Sequence, residues 1–311
     1  MKKRRSFPRA RSPKTSRLIS TLLVLVLGLA CHSCSDIPSG RELAAAGVEL
    51  QEFAKELGKA LRDRAHTPQA PDPVSKTAPG EHTGQAGDAF AACRQLFANG
   101  EPPVLAPRPT HRALCYDAFA ILHSGESKTA VFVAERLNKA SVADAHEQRT
   151  DRFFADARLR SAERATLEDY KGSGFDRGHM APAGDMPTAQ AMAQSFSLAN
   201  MVPQAPEHNR GPWAKSVEAA TRKYAARATG NVYVITGPVF KPNIAQSPSI
   251  GPGQVRVPKY LFKLVYDQNK DRAWAHWHLN DDSTRASRPI SYSDLVGRTG
   301  IEFLPGLHPA D

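Results

Sequence analysis

One short run of the chain has residue types that suit proton transfer at an anionic centre. Residues 175–185 read Phe-Asp-Arg-Gly-His-Met-Ala-Pro-Ala-Gly-Asp, so an acid, a guanidinium, a glycine and an imidazole are consecutive. Side chains of an extended strand alternate between its faces, which would place Arg177 and His179 on one face and Asp176 on the other. A fixed cation beside an imidazole favours a phosphodiester as substrate. A charged turn with a hydrogen-bonded histidine is the alternative.

A second run, residues 198–222, offers a hard oxygen ligand next to a predicted helix. Residues 198–202 are strand-like, prolines follow, and His-Asn-Arg-Gly-Pro occupies positions 208–212. From Pro212 onward apolar residues recur every three or four positions, which predicts a helix with Asn209 just before it or in its first turn. The amide oxygen of Asn209 would suit Mg²⁺ or Ca²⁺. Capping of the helix is the alternative role for this side chain.

Together these runs resemble the DNA/RNA non-specific endonucleases, the ββα-metal nucleases that carry an Asp-Arg-Gly-His motif. The similarity covers roughly residues 90–308. It rests on blocks at 170–182, 200–204, 209 with 213, 232–240 and 299–306, in that order. The resemblance implies hydrolysis of DNA and RNA phosphodiesters without sequence preference, leaving 5′-phosphate ends.

The resemblance also implies roles for four of these residues. His179 would be the general base that activates water, Arg177 would hold the scissile phosphate, and Asp176 would orient the motif. Asn209 would be the only protein ligand of one Mg²⁺, with waters at the other positions and Mn²⁺ as a possible substitute. An imidazole, with its ordinary pKa of ~6.5, suits a base near neutral pH. A divalent ion beside an arginine stabilises the charge that develops on the phosphate.

A helix glutamate that positions metal-bound water completes the implied catalytic set, and Glu218 is its counterpart. In the family this glutamate commonly follows the tryptophan by four residues, whereas Glu218 follows Trp213 by five. One extra residue turns a helix by about 100°. Glu218 therefore fits this role only if a bulge absorbs the shift.

Further polar residues are predicted to contact the substrate. The family has an upstream arginine, for which Arg152, four residues before Asp156, fits best and Arg149 is the rival. Arg210 and Asn200 are predicted to bind the substrate alongside Arg177.

Most of the net charge of +10 belongs to the N-terminus of the chain. Residues 1–18 contain eight Lys or Arg and no acidic residue, whereas residues 89–311 contain 27 Lys or Arg against 22 Asp or Glu, a net of +5. Because the nuclease region is only mildly basic, a nucleic-acid groove requires local clusters of cations.

The first 88 residues predict a signal peptide, a stalk and a linker. The apolar stretch 18–30 is shorter than the roughly 20 residues of a membrane span but fits a signal peptide over residues 1–30. Residues 31–66 predict an amphipathic helical stalk, in which the apolar spacing over 43–60 allows self-association. Residues 67–88, rich in Pro and Gly, predict a flexible linker.

Export is therefore the predicted localisation, either periplasmic or extracellular. Cys31 directly follows the apolar stretch, so a lipid anchor is one alternative to plain secretion and an uncleaved anchor is another. The membrane would then be a partner only through that leader or lipid. Export also favours a disulfide between Cys93 and Cys115, because disulfides persist in oxidising compartments, and a similar pair occurs in some exported relatives. Two buried free thiols are the alternative.

The remaining residues, 89–311, predict an α+β nuclease domain, with an antiparallel sheet core, flanking helices and the ββα-metal (His-Me finger) catalytic motif. Strands are predicted at 130–137, 232–240, 260–266 and 273–279, and helices at 158–169 and 212–228. These elements do not alternate as βαβ units, which favours an antiparallel sheet.

The leading functional prediction is an exported, metal-dependent endonuclease that acts on DNA and RNA. A catalytically impaired nucleic-acid-binding module is the first alternative, favoured by the spacing of Glu218. A secreted antibacterial nuclease effector is the second, and it would share the same chemistry.

Overall fold

Seven antiparallel strands form the main sheet of the protein, in the order β1-β2-β3-β6-β9-β10-β11. The computed structural model describes residues 89–310, which lie within a compact unit spanning Glu81–Asp311. The strands of this sheet are β1 (His111–Cys115), β2 (Phe119–Ser124), β3 (Thr129–Leu137), β6 (Val232–Val239), β9 (Tyr260–Asp267), β10 (Arg272–Leu279) and β11 (Ile290–Ser291). Two further hairpins pair β4 (Asp176–His179) with β5 (Met201–Gln204), and β7 (Ser249–Ile250) with β8 (Val255–Arg256). The predicted signal peptide, stalk and linker lie outside the described residues.

All four predicted strands of the main sheet are confirmed, as β3, β6, β9 and β10. Each is a run of β-branched and aromatic residues long enough to cross the sheet. Both faces of the sheet are covered, because the neighbours Phe132 and Val133 on β3 are each fully buried and belong to different apolar clusters.

The helices are short. They are α1 (Lys139–Asp144), α2 (Leu167–Tyr170), α3 (Ala189–Ser195), α4 (Pro206–His208), a π-helical segment (Asn209–Glu218), α5 (Ala219–Ala225) and α6 (Tyr292–Thr299). Five 3₁₀ turns accompany them, at Ala91–Leu96, Ala98–Gly100, Ser161–Glu163, Ala183–Asp185 and Leu198–Asn200. Among the described residues no helix is long and apolar enough to span a bilayer.

The predicted helix over 158–169 is wrong. Arg164 has extended backbone angles (φ −117°, ψ 151°) and separates the 3₁₀ turn Ser161–Glu163 from α2. A capping box between Thr166 and Asp169 starts α2 at the place where the predicted helix should end. The residues predicted as a strand at 198–202 also differ, since a 3₁₀ turn precedes β5 there. The predicted helix over 212–228 is present in part, as the second half of the π-helical segment followed by α5.

The two faces of the sheet carry different layers. On one face Leu295 of α6 and the N-terminal Phe90 pack against Phe132 and Phe262. On the other face Met180 and Trp213, which flank the two motif runs, pack against Val133 and Leu261. The sheet thus serves as the platform on which β4, β5 and the helix from Pro206 to Ala225 are placed.

A disulfide joins Cys93 to Cys115, with their Cα atoms 5.8 Å apart. It ties the N-terminal turn to β1 at the edge of the sheet, 22 positions further along the chain. Closing a loop of this length stabilises a fold by roughly 3 kcal/mol in the chain-entropy model. The predicted pairing of these two cysteines is confirmed.

Candidate active site

The Asp-Arg-Gly-His motif forms β4, which pairs with β5 so that Gly178 lies opposite Val202. A Cβ atom at Gly178 would lie 2.0 Å from Gln204 Oε1 and 2.6 Å from Gln204 Cβ. No side chain fits in that space, so the glycine permits the close approach of β4 to the Gln204 side chain. The pairing of β4 with β5 therefore requires glycine at this position of the motif.

Arg177 and His179 share one face of β4, as strand alternation predicts. The Arg177 guanidinium carbon lies 4.1 Å from the centroid of the Phe153 ring. The His179 ring lies 6.0 Å from Phe153 and 5.1 Å, edge to face, from Phe196. Two phenylalanines thus fix the imidazole and the guanidinium side by side.

The His179 imidazole is buried and lies in a cationic setting. It is 9% exposed, and its Nε2 has no hydrogen-bond partner among the described residues. Burial, together with the nearby charges of Arg149 and Arg177, lowers the pKa of His179 to about 3. A histidine held in the neutral form can accept a proton at neutral pH.

Arg149, not Arg152, is the upstream arginine that the structure places beside the imidazole. The Arg149 guanidinium lies 4.9 Å from the Phe196 ring centroid, and Phe196 also contacts His179. Arg152 is exposed and makes no hydrogen bond or ion pair within residues 89–310. Asp156, which suggested Arg152, binds Arg158 instead. The geometry favours the rival Arg149, and a substrate role for Arg152 stays a prediction.

On the other face of β4, Asp176 orients the helix that carries the candidate metal ligand. Its carboxylate accepts hydrogen bonds from Asn209 Nδ2 at 2.9 Å and from Arg210 Nε at 2.8 Å. Arg210 Nη2 donates to the second oxygen of Asp176 at 2.5 Å. Because Asn209 uses its nitrogen on Asp176, its Oδ1 is left as the outward acceptor. The predicted orienting role of Asp176 matches this geometry, whereas Arg210 is engaged with the motif.

Helix capping does not explain Asn209. Its backbone is helical (φ −58°, ψ −54°) and its N–H donates to the carbonyl of Ala205. A capping residue has non-helical backbone angles and lies just before the first residue of the helix. Asn209 is therefore an interior residue of a helix that begins at Pro206.

The extra residue between Trp213 and Glu218 is absorbed by a π-helical segment. Residues Asn209–Glu218 form this segment, and the N–H of Ala219 donates to the carbonyl of Ala214, five residues earlier. In a helical turn closed by an i→i+5 hydrogen bond, the fifth residue after Trp213 lies on the same side of the helix as Trp213. In an α-helix the fourth residue takes that position. Glu218 thus takes the position that the sequence spacing alone put in doubt. Burial raises the pKa of Glu218 to about 7, against the opposing charge of Lys263.

Three buried polar side chains behind the site were assigned no role in the sequence analysis. Gln204 Nε2 donates to His208 Nδ1 at 3.2 Å, and His208 Nε2 lies 3.1 Å from His278 Nδ1. This chain joins β5, the start of the Asn209 helix and β10. Gln204 and His208 both lie within the run 198–222, whereas His278 is 70 positions beyond His208, so sequence spacing alone did not predict this chain of contacts.

Asn200 is buried, at odds with a role in substrate binding. It is 0% exposed, and its amide exchanges two hydrogen bonds of 2.9 Å with the backbone of Ala181. A third hydrogen bond runs from its Nδ2 to the carbonyl of Ser195. The predicted substrate contact is therefore corrected: Asn200 holds the chain that follows His179.

We expect Asn200→Ala to destabilise the fold rather than to weaken substrate binding. The change would leave three buried backbone groups without partners, which would lower the free energy of unfolding by about 2–4 kcal/mol. Urea denaturation measures this loss, and KM for nucleic acid measures binding. A raised KM at unchanged stability would contradict the structural role.

Acidification should destabilise the metal-free protein through His179. The imidazole has a folded pKa of about 3, below its unfolded value of ~6.5. The contribution of His179 to the free energy of unfolding is therefore fully present above about pH 6.5 and is lost as the pH falls. Between pH 6.5 and 5 this residue contributes a loss of up to about 2 kcal/mol. Urea denaturation in EDTA should show a shallower acid loss for His179→Ala than for the wild type; equal slopes would rule out a buried neutral imidazole.

The donor set fits one hard cation with mostly water ligands. Within residues 89–310 no group of three or more His, Cys, Asp or Glu is arranged to hold a metal. Asn209 Oδ1 is an oriented neutral oxygen, and Mg²⁺ is commonly held through one or two protein oxygens while it keeps several waters.

Comparisons with known proteins show the family to which this fold belongs. A sequence profile of the DNA/RNA non-specific endonuclease family matches residues 104–310. Nuclease C1 of Cunninghamella echinulata var. echinulata is 35% identical over 203 residues, which are 61% of this chain and 79% of that protein. Human mitochondrial Endonuclease G is 35% identical over 160 residues, 49% of this chain and 51% of that protein.

The match to the mitochondrial relatives is thus partial, and the same holds for zebrafish (Danio rerio) Nuclease EXOG, of which 60% is spanned at 34% identity. The similarity extends to structure. The crystal structure of the EndoG/EndoGI complex superposes with a TM-score of 0.57 at 25% identity, covering 63% of this chain and 86% of that chain. The fold, the β4 motif and the sequence profile agree: the chain belongs to the DNA/RNA non-specific endonuclease family and carries its ββα-metal motif.

Proposed function

We propose that this protein is an exported, Mg²⁺-dependent endonuclease that hydrolyses DNA and RNA without sequence preference. The observation that carries the proposal is that residues at the two ends of β4 are placed for different roles. His179 at its end is a buried neutral imidazole near Arg149 and Arg177, and Asp176 at its start holds the amide nitrogen of Asn209. In an extended strand these two positions are about 10 Å apart along the chain, and the proposal requires one phosphodiester to reach both His179 and a cation held by Asn209.

His179 acts as the base in the proposed reaction. Its imidazole takes a proton from a water molecule, whose oxygen attacks phosphorus while the bond to the 3′ oxygen breaks, leaving a 5′ phosphate. Arg177 and Arg149 hold the nonbridging oxygens, which gain negative charge in the transition state. Phe153 and Phe196 keep both guanidinium groups beside the imidazole.

Asn209 and Glu218 serve the cation side of the site. Asn209 Oδ1 would hold Mg²⁺, or Mn²⁺ in its place, and the carboxylate of Glu218 would orient a water molecule. When bound, the cation would neutralise charge on the phosphate and on the leaving oxygen. Asp176 fixes the Asn209 amide through its nitrogen, which keeps the oxygen pointing outward.

An inert nucleic-acid-binding module is the less favoured reading. Its main support is the spacing of Glu218, and the π-helical segment accounts for that spacing. Export is supported by the predicted signal peptide and by the Cys93–Cys115 disulfide, since such bonds persist in oxidising compartments. Self-association through residues 43–60 and a lipid anchor at Cys31 remain parts of the same proposal.

The test is cleavage of plasmid DNA and of a long RNA by the purified protein with and without EDTA. We expect both substrates to be degraded in Mg²⁺, EDTA to abolish cleavage, and Mg²⁺ or Mn²⁺ added in excess to restore it. Intact substrates in Mg²⁺ would overturn the nuclease proposal. Cleavage that persists in EDTA would overturn the role of the cation.

A further inference from the structure

A buried ion pair lies in the middle of the main sheet. Lys263 on β9 and Glu135 on β3 have side chains that are 0% and 1% exposed, with Nζ and Oε2 3.8 Å apart. The strands are separated by β6, and the register places both side chains on one face, with Thr236 of β6 beside them. This face carries the catalytic motif, since Leu261 of the same strand packs with Met180.

Lys263 reaches the motif directly. Its Nζ donates to the carbonyl oxygen of Met180, the residue after His179, at 3.5 Å. The N–H of Met180 is in turn held by the carbonyl of Asn200 at 2.9 Å. Met180, which follows the proposed general base, is therefore held at its N–H by Asn200, in the 3₁₀ turn before β5, and at its carbonyl by Lys263 from the main sheet.

The same ammonium group also lies near the carboxylates of the catalytic layer. Glu218 and Asp185 interact electrostatically with Lys263. Arg222, one helical turn after Glu218, donates a hydrogen bond from Nη1 to Asp185 Oδ1 at 2.7 Å. Lys263 is thus the positive charge beneath both His179 and Glu218.

This ion pair is a weak source of stability. Neither carboxylate oxygen of Glu135 has a hydrogen-bond partner among the described residues, and 3.8 Å exceeds hydrogen-bond distance. Burying two charges costs several kcal/mol per ion, and apolar replacements of a buried pair are often neutral or stabilising. A role other than stability is therefore needed to explain a lysine at this point of the sheet.

We propose that Lys263 is a positioning residue, whose buried side chain clamps the Met180 carbonyl and thereby sets the position of His179. Glu135 supplies the charge that allows the lysine to be buried. This inference rests on the proposed function, since it assigns a supporting residue to the proposed general base. A displacement of about 1 Å at a reacting group can lower a rate by about 100-fold, so a loosened clamp should act on kcat.

The experiment compares two variants that differ only at position 263, Glu135→Gln and Glu135→Gln/Lys263→Met. The first keeps the amine that donates to Met180, and the second removes it. We expect kcat of the second to be lower by about 10- to 100-fold, with KM changed far less. Thr236→Val is the matched control, because its buried hydroxyl has no partner among the described residues and makes no contact with Met180; its kcat should equal that of the wild type.

A second measurement does not depend on activity. Hydrogen exchange of the peptide containing residues 177–183 should be faster in the variant that lacks the lysine than in Glu135→Gln. Equal kcat and equal exchange in the two variants would overturn the clamp. If the wild type does not cleave nucleic acid, the proposed function fails, and the exchange comparison still decides whether Lys263 fixes this segment.

Should Glu135→Gln/Lys263→Met prove too unstable to purify, Glu135→Leu/Lys263→Met replaces both charges by apolar side chains of similar length. Its free energy of unfolding should match or exceed that of the wild type. A stable protein with reduced kcat and faster exchange supports the clamp, and a stable protein with wild-type kcat and exchange overturns it.

Discussion

His179→Ala is expected to lower kcat on both DNA and RNA at least about 100-fold, because a positioned base typically contributes 10²–10⁴-fold. The imidazole is neutral at pH 7 and shares one face of β4 with Arg177, so it is in the protonation state that a general base requires. KM should change little, since the residues proposed to hold the phosphate are Arg177 and Arg149. The measurement is steady-state cleavage of a fluorescent oligonucleotide at saturating Mg²⁺.

The control for this prediction separates chemistry from folding. His146→Ala makes the same change at an exposed histidine and should leave kcat unchanged. His179→Ala opens space beside Phe153 and Phe196, so a loss of about 1–3 kcal/mol in the free energy of unfolding is expected, too little to unfold the domain. A folded His179→Ala protein with near-normal kcat would remove this residue from the mechanism.

Local patterns were sufficient to predict the strands of the sheet. Buried strands such as β6 and β9 are mostly apolar and rich in aromatic and β-branched residues, although Lys263 interrupts β9. The region from 158 to 169 has a helical apolar spacing, but Asp156 captures the side chain and the N–H of Arg158. This local hydrogen bonding competes with helix formation, so the apolar spacing predicted a helix over 158–169 that does not form.

The active site was predictable only where its residues are close in sequence. Strand alternation placed Arg177 and His179 on one face because a strand has a fixed period. The choice between Arg149 and Arg152 depended on which guanidinium reaches Phe196, a contact that no spacing encodes. Lys263 and Glu135 meet only because β3, β6 and β9 are adjacent in the sheet, and sequence alone does not give that order.

The π-helical segment is the clearest case of structure correcting a spacing argument. In an α-helix, Glu218 would be rotated about 100° away from the position four residues after Trp213. The N–H of Ala219 reaches back to Ala214, so one additional residue fits in the turn. Such π-bulges are rare and tend to occur at functional sites. The break at Gly211 (φ −101°, ψ −112°) shows that this part of the helix is already irregular.

Deletion and insertion at Lys215 should therefore have opposite outcomes. Lys215 is exposed within the π-helical segment. Deleting it restores a spacing of four between Trp213 and Glu218, so an ordinary α-helical turn should keep Glu218 in place and kcat should stay within a few-fold of the wild type. Inserting one alanine after Lys215 makes the spacing six. The segment already holds its one extra residue, so Glu218 should rotate by about 100° and kcat should fall by about 100-fold or more.

An alanine inserted after Ser287, in the exposed loop 285–289, is the matched control and should leave kcat unchanged. Circular dichroism and thermal unfolding of all three variants establish that the domain remains folded. Trp213 is buried and packs against the main sheet, so it should stay in place after the insertion. Glu218 should then be the residue that rotates. Wild-type kcat after the insertion, or loss of kcat after the deletion, would show that Glu218 does not act from the position that the π-helical turn gives it.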